Sequence, residues 1–331
     1  MATTHRIKRG VSLYSFQEEF FLRKMTLEDC VAACAKLGAR GVETIAEQMM
    51  PGFPKLSDAF YDQWHEWMAK YNVTPTCHDL FLDMKKYKGR LMTDAEMLQS
   101  VIRDIKHAHR LGCQVIRVIV NTPPHILALA APYAEQYNVK LGVEIHAPFH
   151  FDHEHIQRHY EVMLRPGSQH EYLGFVPDMG TFEKRFPRVR SERAIRNGAK
   201  REIVEFICAA YERREDLDQV AERVKQMGGG PLELGVVQDV KRLYYENPRR
   251  LLDFMDRIFH IHAKFYEMLD DGTEYSIPYE DVIPVLIEGG YKGYLSSEYE
   301  GNRHIQDVHE VDSFEQVRRQ QAMFKRLLGE A

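Results

Sequence analysis

The chain lacks long apolar runs and is poor in cysteine. Within its 331 residues no stretch approaches the ~20 apolar residues that cross a bilayer. The opening residues, MATTHRIKRG, contain no apolar core of a secretion signal. The five cysteines are scattered, at Cys30, Cys34, Cys77, Cys113 and Cys208. An odd, scattered set predicts reduced thiols instead of a disulfide framework, so we expect a cytoplasmic protein with no membrane association.

Two further features are missing. The net charge of −5 offers no surplus of basic residues to attract nucleic acid. No Gly-x-Gly-x-x-Gly follows the first predicted strand, which argues against a dinucleotide-binding fold. What remains, 44% hydrophobic and 28% charged residues, is ordinary for a globular protein. The length suits one α/β barrel with insertions, and we expect a single domain over residues 1–331.

Strand-like runs alternate with helical segments along the whole chain. The runs are GVSLYSF (10–16), GVETI (41–45), PTCHDL (75–80), QVIRVIV (114–120), KLGVEIH (140–146), YLGFVPD (172–178), RIFHIHAK (257–264) and GYLSSEY (293–299). Thr26 and Thr93 each precede an acidic residue by three positions, a pattern typical of a capped helix start. Eight strands alternating with helices predict a closed (β/α)8, or TIM, barrel and not an open sheet.

The stretch 180–256 is longer than one connection between strands requires. It contains the basic run 185–201, helical patterns near 200–213 and 215–227, and a Gly-Gly-Gly-Pro turn at 228–231. We interpret it as an elaborated insertion after the sixth strand, where long loops shape substrate access or partner contacts. The arginines are more typical of a solvated face or a protein contact than of a phosphate groove.

Four metal-ligating side chains lie at the ends of the last four predicted strands. They are Glu144, Asp178, His262 and Glu298. Because the carboxyl ends of barrel strands converge on one face, we expect these side chains to meet there. Three carboxylates and one imidazole suit Mn²⁺, Mg²⁺, Fe²⁺, Co²⁺ or Zn²⁺, and we expect Mn²⁺. His260 competes with His262, but the latter is nearer the strand's carboxyl end.

Further polar residues surround this predicted centre. His146 lies two residues beyond the first carboxylate, where it could act as a general base or simply hydrogen-bond within its loop. Lys264 and Arg303 could each neutralise an oxyanion or pair with a carboxylate. His78 and Asp79, which end the third strand, are expected to form the opposite wall of the pocket.

Longer motifs add a family resemblance. The four-ligand arrangement resembles the xylose isomerase-like superfamily of sugar-phosphate isomerases and epimerases. The motifs GVSLYSFQ, KLGVEIHAP, VPDMGTF, HIHAKFYEM and YLSSEYEGNRHIQD, with the tail EQVRRQQAMFKRLL, look like the α subunit of bacterial C-glycoside deglycosidases. Epimerases of the superfamily usually carry a histidine three residues after the strand-six aspartate. Thr181 stands there instead, which agrees with the deglycosidase resemblance.

The resemblance implies a reaction and a partner. The substrate would be a 3-oxo-C-glycoside, whose C3 ketone acidifies the proton on C2. His146 would remove that proton, the C1–aryl bond would break by elimination, and Lys264 or Arg303 would steady the developing charge. The four ligands would hold the metal. Family members work with a small β subunit, so a hetero-oligomer is expected. The helix carrying Trp64 and Trp67 and the long insertion also predict an oligomer.

Three alternatives use the same residues differently. A metal-dependent sugar isomerase or epimerase would form a related enediolate without cleaving a C–C bond. A non-catalytic sugar-binding subunit would need no metal. Phosphodiester cleavage would explain the arginine run, but it fits poorly with the acidic net charge and with Thr181.

Overall fold

A computed structural model describes residues 7–330. Its strands are β1 (Lys8–Ser12), β2 (Gly41–Thr44), β3 (Thr74–Leu80), β4 (Val115–Val118), β5 (Lys140–Ile145), β6 (Leu173–Pro177), β7 (Ile261–Phe265) and β8 (Tyr294–Tyr299). Its helices are α1 (Gln17–Phe21), α2 (Leu27–Lys36), α3 (Ala46–Met49), α4 (Asp58–Tyr71), α5 (Asp94–Leu111), α6 (Pro124–Tyr137), α7 (Glu154–Met163), α8 (Arg188–Arg196), α9 (Arg201–Glu212), α10 (Leu217–Gln226), α11 (Pro231–Lys241), α12 (Tyr279–Glu288) and α13 (Ser313–Leu327).

The eight strands form a parallel barrel. Each strand pairs with its neighbour in sequence, and β8 returns to pair with β1. The remaining seam, between β6 and β7, is closed by parallel bridges from Phe175 to Ile258 and from Asp178 to His262. The predicted TIM barrel is therefore confirmed, and all strands end on one face.

The strand limits differ most from the predictions at two places. β1 stops at Ser12, because Leu13–Phe16 turns into a 3₁₀ helix. β7 starts at Ile261 and not at 257, because a 3₁₀ helix occupies Pro248–Arg257. The two predicted caps are confirmed. Thr26 and Thr93 each accept a hydrogen bond from the backbone N–H three residues on, and the acidic side chain there accepts one from the backbone N–H of the threonine.

The insertion after β6 contains four helices, α8–α11, with a hydrophobic cluster of their own. That cluster is built from residues such as Ile203, Val220 and Val237. The patterns near 200–213 and 215–227 correspond to α9 and α10, whereas α8 and α11 were not predicted. The sequence of α8 shows no apolar periodicity, because Val189 is the one residue of this helix that is buried. The predicted insertion is confirmed, with more regular structure than its sequence indicates.

Ion pairs fasten the insertion to the loops at the barrel mouth. Arg188 contacts Glu267 after β7, with 2.5 Å between Nη2 and Oε1, and Arg196 contacts Asp307 after β8 at 2.8 Å. The Tyr211 hydroxyl donates to the Glu183 carbonyl at 2.8 Å. These arginines of the basic run are therefore engaged in protein contacts, as the sequence suggested.

The helix α4 packs into the chain itself. The Trp64 side chain is fully buried, and its indole N–H donates to the Leu111 carbonyl at 3.0 Å. Trp67 is partly buried and packs against the same core, so packing within the chain accounts for both tryptophans, and the oligomer stays a prediction. None of the helices in residues 7–330 is both long and apolar enough to cross a membrane.

Candidate metal centre

Four side chains converge at the carboxyl end of the barrel. They are Glu144 on β5, Asp178 just after β6, His262 on β7 and Glu298 on β8. One potential ligand atom from each lies within 4.8 Å of all the others, and all four residues are buried. The structure thus brings together the four residues that the sequence predicted as a metal-binding group.

Strand register explains why they meet. Asp178 bridges to His262 across the closing seam, and Lys264 pairs with Glu298 between β7 and β8. Since side chains alternate along a strand, Glu298 faces the barrel interior while Ser297 faces outward. The Ser297 hydroxyl accepts a hydrogen bond from Gln321 of α13 at 2.8 Å. A shift of one residue would turn the serine into the barrel interior and place the carboxylate against α13.

One buried oxygen of this group, Glu298 Oε2, has no hydrogen-bond partner among the described residues. Asp178 Oδ2 and His262 Nδ1 are held only by ion-pair contacts, to Lys264 Nζ at 2.5 Å and to Glu144 Oε1 at 2.8 Å. Leaving such atoms unsatisfied costs free energy, so buried polar atoms are normally paired. Carboxylate oxygens and an imidazole nitrogen form the donor set that divalent cations such as Mn²⁺ or Zn²⁺ accept. The residues present therefore fit a divalent metal ion.

The charges of the group point the same way. Burial raises the pKa of Glu298 well above its ordinary value, and the neighbouring Asp178 and Glu300 carboxylates add to this. Burial opposes ionisation of Glu144 too, but Arg117 and His262 outweigh it and lower the pKa of that carboxyl. The negative charge is thus poorly compensated at Glu298. A cation held between these carboxylates would relieve that repulsion.

His146 lies on the solvent side of the centre. Its Nε2 is 4.0 Å from Glu144 Oε2, and its side chain is 36% exposed. Its Nδ1 hydrogen-bonds the Ala147 carbonyl oxygen. A carbonyl can only accept, so Nδ1 carries the proton of the neutral ring and Nε2 presents a lone pair. The hydrogen bond within the loop, one of the two alternatives, is therefore observed, and the role of His146 as a general base stays a prediction.

The two predicted cationic residues occupy different positions. Lys264 Nζ lies 2.5 Å from Asp178 Oδ2 and 3.6 Å from Glu300 Oε2, so its carboxylate-pairing alternative is the one observed. Arg303 is exposed, and its guanidinium lies 5.5 Å from the centre of the Tyr14 ring. The structure brings Lys264 into the centre and leaves Arg303 at the rim.

A second set of charged residues lies beneath the centre. Arg117 pairs with Asp79 at 2.8 Å, and its Nη1 lies 3.7 Å from Glu144 Oε2. Glu43, on β2, contacts His262 from the opposite side of the ring. Sequence reasoning missed Glu43 and Arg117. The signal was present in GVETI and QVIRVIV, where a charged residue interrupts an apolar strand and alternation would aim it inward.

The predicted opposite wall is half right. Asp79 faces the interior, where its Oδ1 is 3.9 Å from His262 Nε2. His78 points outward instead, with its Nε2 3.1 Å from Asp104 of α5. The prediction for His78 was wrong because neighbouring residues of a strand face opposite sides.

Comparisons with known proteins agree with this geometry. Residues 31–180 match the family model described as a xylose isomerase-like TIM barrel. The C-glycoside deglycosidase alpha subunit of Arthrobacter globiformis is 30% identical over 335 residues, which cover 98% of this chain and 93% of that protein. The 3'-dehydrocarminate deglycosidase alpha subunit of a Microbacterium species is 28% identical, with 97% and 95% covered.

A solved structure supports the fold alone. A sugar phosphate isomerase/epimerase from Parabacteroides distasonis superposes with a TM-score of 0.58 at 11% identity, covering 100% of this chain and 96% of that one. The near-complete match to curated relatives and the shared barrel confirm the resemblance inferred from the motifs. The chain belongs to the family of C-glycoside deglycosidase alpha subunits, which are xylose isomerase-like TIM barrels.

Proposed function

We propose that this chain is the catalytic alpha subunit of a metal-dependent C-glycoside deglycosidase, a carbon–carbon lyase that cleaves the C1–aryl bond of a 3-oxo-C-glycoside. The observation that carries the proposal is the convergence of three buried carboxylates and one buried imidazole, with potential ligand atoms within 4.8 Å of one another, beside His146, whose Nδ1 bonds the loop. One relative is named for a 3'-dehydro substrate, which agrees with a sugar oxidised at C3.

Glu144, Asp178, His262 and Glu298 would hold the metal, which we propose to be Mn²⁺. A bound divalent cation supplies Lewis-acid stabilisation of negative charge on the oxygens of the sugar. We further propose that residues 1–331 form one barrel domain with its insertion at about 180–256. Its five cysteines are free thiols, which supports a reducing, cytoplasmic location.

The chain's own residues suit a proton abstraction followed by an elimination. His146 Nε2 takes the C2 proton, because its lone pair faces the centre and the solvent-side approach of a sugar. The electrons of the C2–H bond move onto the C3 carbonyl. They return to form a C1=C2 double bond as the C1–aryl bond breaks. The aryl carbon gains one proton, so the products are the aglycone and an unsaturated 3-oxo sugar.

Two cationic side chains can steady the charge that develops. Lys264 is buried in the centre, where a low dielectric strengthens its interaction with an oxyanion. Arg303 lies at the rim, where a departing phenolic group would pass. We propose Lys264 as the residue acting near the sugar and Arg303 as the one nearer the aglycone.

A sugar isomerase or epimerase is the second candidate. The fold likeness to a sugar phosphate isomerase/epimerase favours it. The Thr181 position argues against it, because the hydroxyl donates to the Ile145 carbonyl at 3.2 Å and offers the substrate no base. A single histidine at His146 suits abstraction from one face followed by elimination.

Incubation with a 3-oxo-C-glucoside tests the proposal. In the presence of Mn²⁺ and a co-encoded small subunit we expect release of the aglycone, which chromatography measures. The matched control is the unoxidised C-glucoside, which lacks the acidic C2 proton and should be left intact. Interconversion of free ketoses without aglycone release would contradict the lyase assignment and support the epimerase.

The partner subunit gives a second prediction. Relatives carry the name alpha subunit, and exposed apolar side chains lie on loops at the barrel mouth, namely Phe21 and Leu22 after β1, Leu91 after β3 and Val308 after β8. We propose that a small β subunit covers this face. The isolated chain should then cleave little substrate and gain activity on mixing with that subunit.

Two variants sharpen the test. Phe21→Asp should weaken co-elution of the two subunits in size-exclusion chromatography, because it places a charge on the covered face. Leu129→Asp is the matched control, since Leu129 is equally exposed but lies on the outer helix α6. Full activity of the isolated wild-type chain would contradict the need for a partner.

A further inference from the structure

A carboxylate beneath the metal centre is shared by two histidines. Glu43 on β2 is fully buried. Its Oε2 lies 2.5 Å from His260 Nε2, and its Oε1 lies 3.1 Å from His262 Nε2. Neither Glu43 Oε1 nor His262 Nε2 has a well-aligned hydrogen bond among the described residues, so the 3.1 Å ion-pair contact is what joins them. One carboxylate therefore contacts His260, which immediately precedes β7, and His262 on β7, and only His262 belongs to the proposed ligand group.

The contact crosses the interior of the barrel. β2 is separated from β7 by β1 and β8, so backbone pairing does not force Glu43 against this strand. His260 and His262 are two residues apart and face the same side, which lets a single carboxylate reach both rings. His260 thus holds one oxygen of Glu43 while the other oxygen faces His262. This arrangement leaves the Glu43 side chain little freedom to turn.

The two nitrogens of His262 have different surroundings. Nδ1 lies 2.8 Å from Glu144 Oε1 and 3.4 Å from Glu298 Oε1, within the ligand group. Nε2 faces Glu43. A ring that keeps its proton on the nitrogen beside a carboxylate leaves the other nitrogen free to bind a metal. Glu43 can therefore fix the orientation of the His262 ring from the side opposite the proposed metal position.

Asp79 is the competing partner for the same nitrogen. Its Oδ1 lies 3.9 Å from His262 Nε2, farther than Glu43 Oε1. Its other oxygen accepts a hydrogen bond from Arg117 at 2.8 Å. Glu43 is accordingly the nearer carboxylate at this nitrogen.

We propose that Glu43 is a positioning residue for the metal centre, fixing His262 with its proton on Nε2 and its Nδ1 toward the metal. The inference rests on the proposed metal-binding function. It assigns Glu43 no contact with the substrate. It also gives His260 a role, because that ring holds the free end of the carboxylate in place.

Metal affinity of a Glu43→Gln variant tests the inference without an activity assay. Glutamine keeps the volume but carries no charge, and it offers only one oxygen for two ring N–H donors. We expect Mn²⁺ to bind about 10- to 100-fold more weakly, the usual effect of removing a carboxylate behind a histidine ligand. Free Mn²⁺ measured by electron paramagnetic resonance gives the dissociation constant. Glu43→Asp keeps the charge and should fall between glutamine and the wild type.

Asp104→Asn is the matched control. Asp104 forms the other buried carboxylate–histidine contact described above, with His78 on the outer side of the barrel. The Asp104→Asn variant should keep its Mn²⁺ affinity within about twofold of the wild type, because the Asp104–His78 pair does not touch a proposed ligand. Equal weakening in both variants would mean general destabilisation and would overturn the positioning role. Unchanged affinity in Glu43→Gln would overturn it as well.

A measurement on the wild-type chain covers the case in which the variants do not fold. Nitrogen-15 NMR of the Zn²⁺-loaded, histidine-labelled protein reports which ring nitrogen of His262 carries the proton. A proton on Nε2 is expected, and a proton on Nδ1 would overturn the inference. A wild-type chain that binds neither Mn²⁺ nor Zn²⁺ would refute the proposed metal function itself, an outcome distinct from a failure of Glu43 alone.

Discussion

A Glu298→Gln variant is expected to lose its divalent metal and, with it, roughly 10³-fold of its turnover. The substitution preserves shape but removes one of three buried carboxylates that face the centre. A metal ion contributes several kcal/mol of charge stabilisation, and each 1.36 kcal/mol corresponds to about tenfold in rate. Metal content by mass spectrometry and aglycone release, each measured on the same preparation, check the two halves of this expectation.

Glu300→Gln provides the control for metal content. Glu300 follows two residues later, is half-buried and contacts Lys264 at 3.6 Å instead of the ligand group. It should retain the metal of the wild type. If Glu298→Gln bound metal as well as Glu300→Gln does, Glu298 would not be a ligand.

A His146→Ala variant should keep the metal yet lose about 10²- to 10⁴-fold in kcat, the usual contribution of a positioned base. The residue lies beside Glu144 but offers the substrate a lone pair at the solvent side of the centre. Steady-state kinetics on a 3-oxo-C-glucoside, paired with metal analysis, separates a lost base from a lost ligand. Loss of metal together with activity would place His146 among the ligands instead.

His150→Ala is the matched control for that loop. The His150 ring stacks on Tyr244 with 4.0 Å between ring centres, so its removal alters packing in the same segment. Its kcat should stay within about tenfold of the wild type, even if KM rises. A near-normal kcat in His146→Ala would remove that residue from the mechanism.

The barrel was predictable because its signals are local. Alternating apolar strands, separated by helices with capped starts at Thr26 and Thr93, follow from neighbouring residues alone. The limits of β1 and β7 were not predictable in this way, because the 3₁₀ helices that flank these strands carry similar apolar residues. α8 also escaped prediction, since Val189 is its one buried residue while Ala194 and Ile195 are only partly buried against the cluster of the insertion.

The site was predictable only where strand ends reveal it. The four ligands could be found because parallel strands of a barrel end together, whatever their distance in sequence. The contacts of Glu43 and Arg117 could not be predicted, because they form with residues of other strands and depend on how the barrel closes. His78 shows a rule that was available but not applied: of two adjacent strand residues, only one can face the interior.

The insertion's separate hydrophobic cluster has a consequence for how such proteins diverge. α8–α11 pack on one another through their own hydrophobic cluster, and ion pairs such as Arg188–Glu267 and Arg196–Asp307 join them to loops at the barrel mouth. Mutations on the outward faces of these helices therefore leave the barrel's core intact. Selection can therefore change the insertion while the four proposed metal ligands stay unchanged. Activity on a new aglycone would then arise first from changes in the insertion and only later from changes in the barrel.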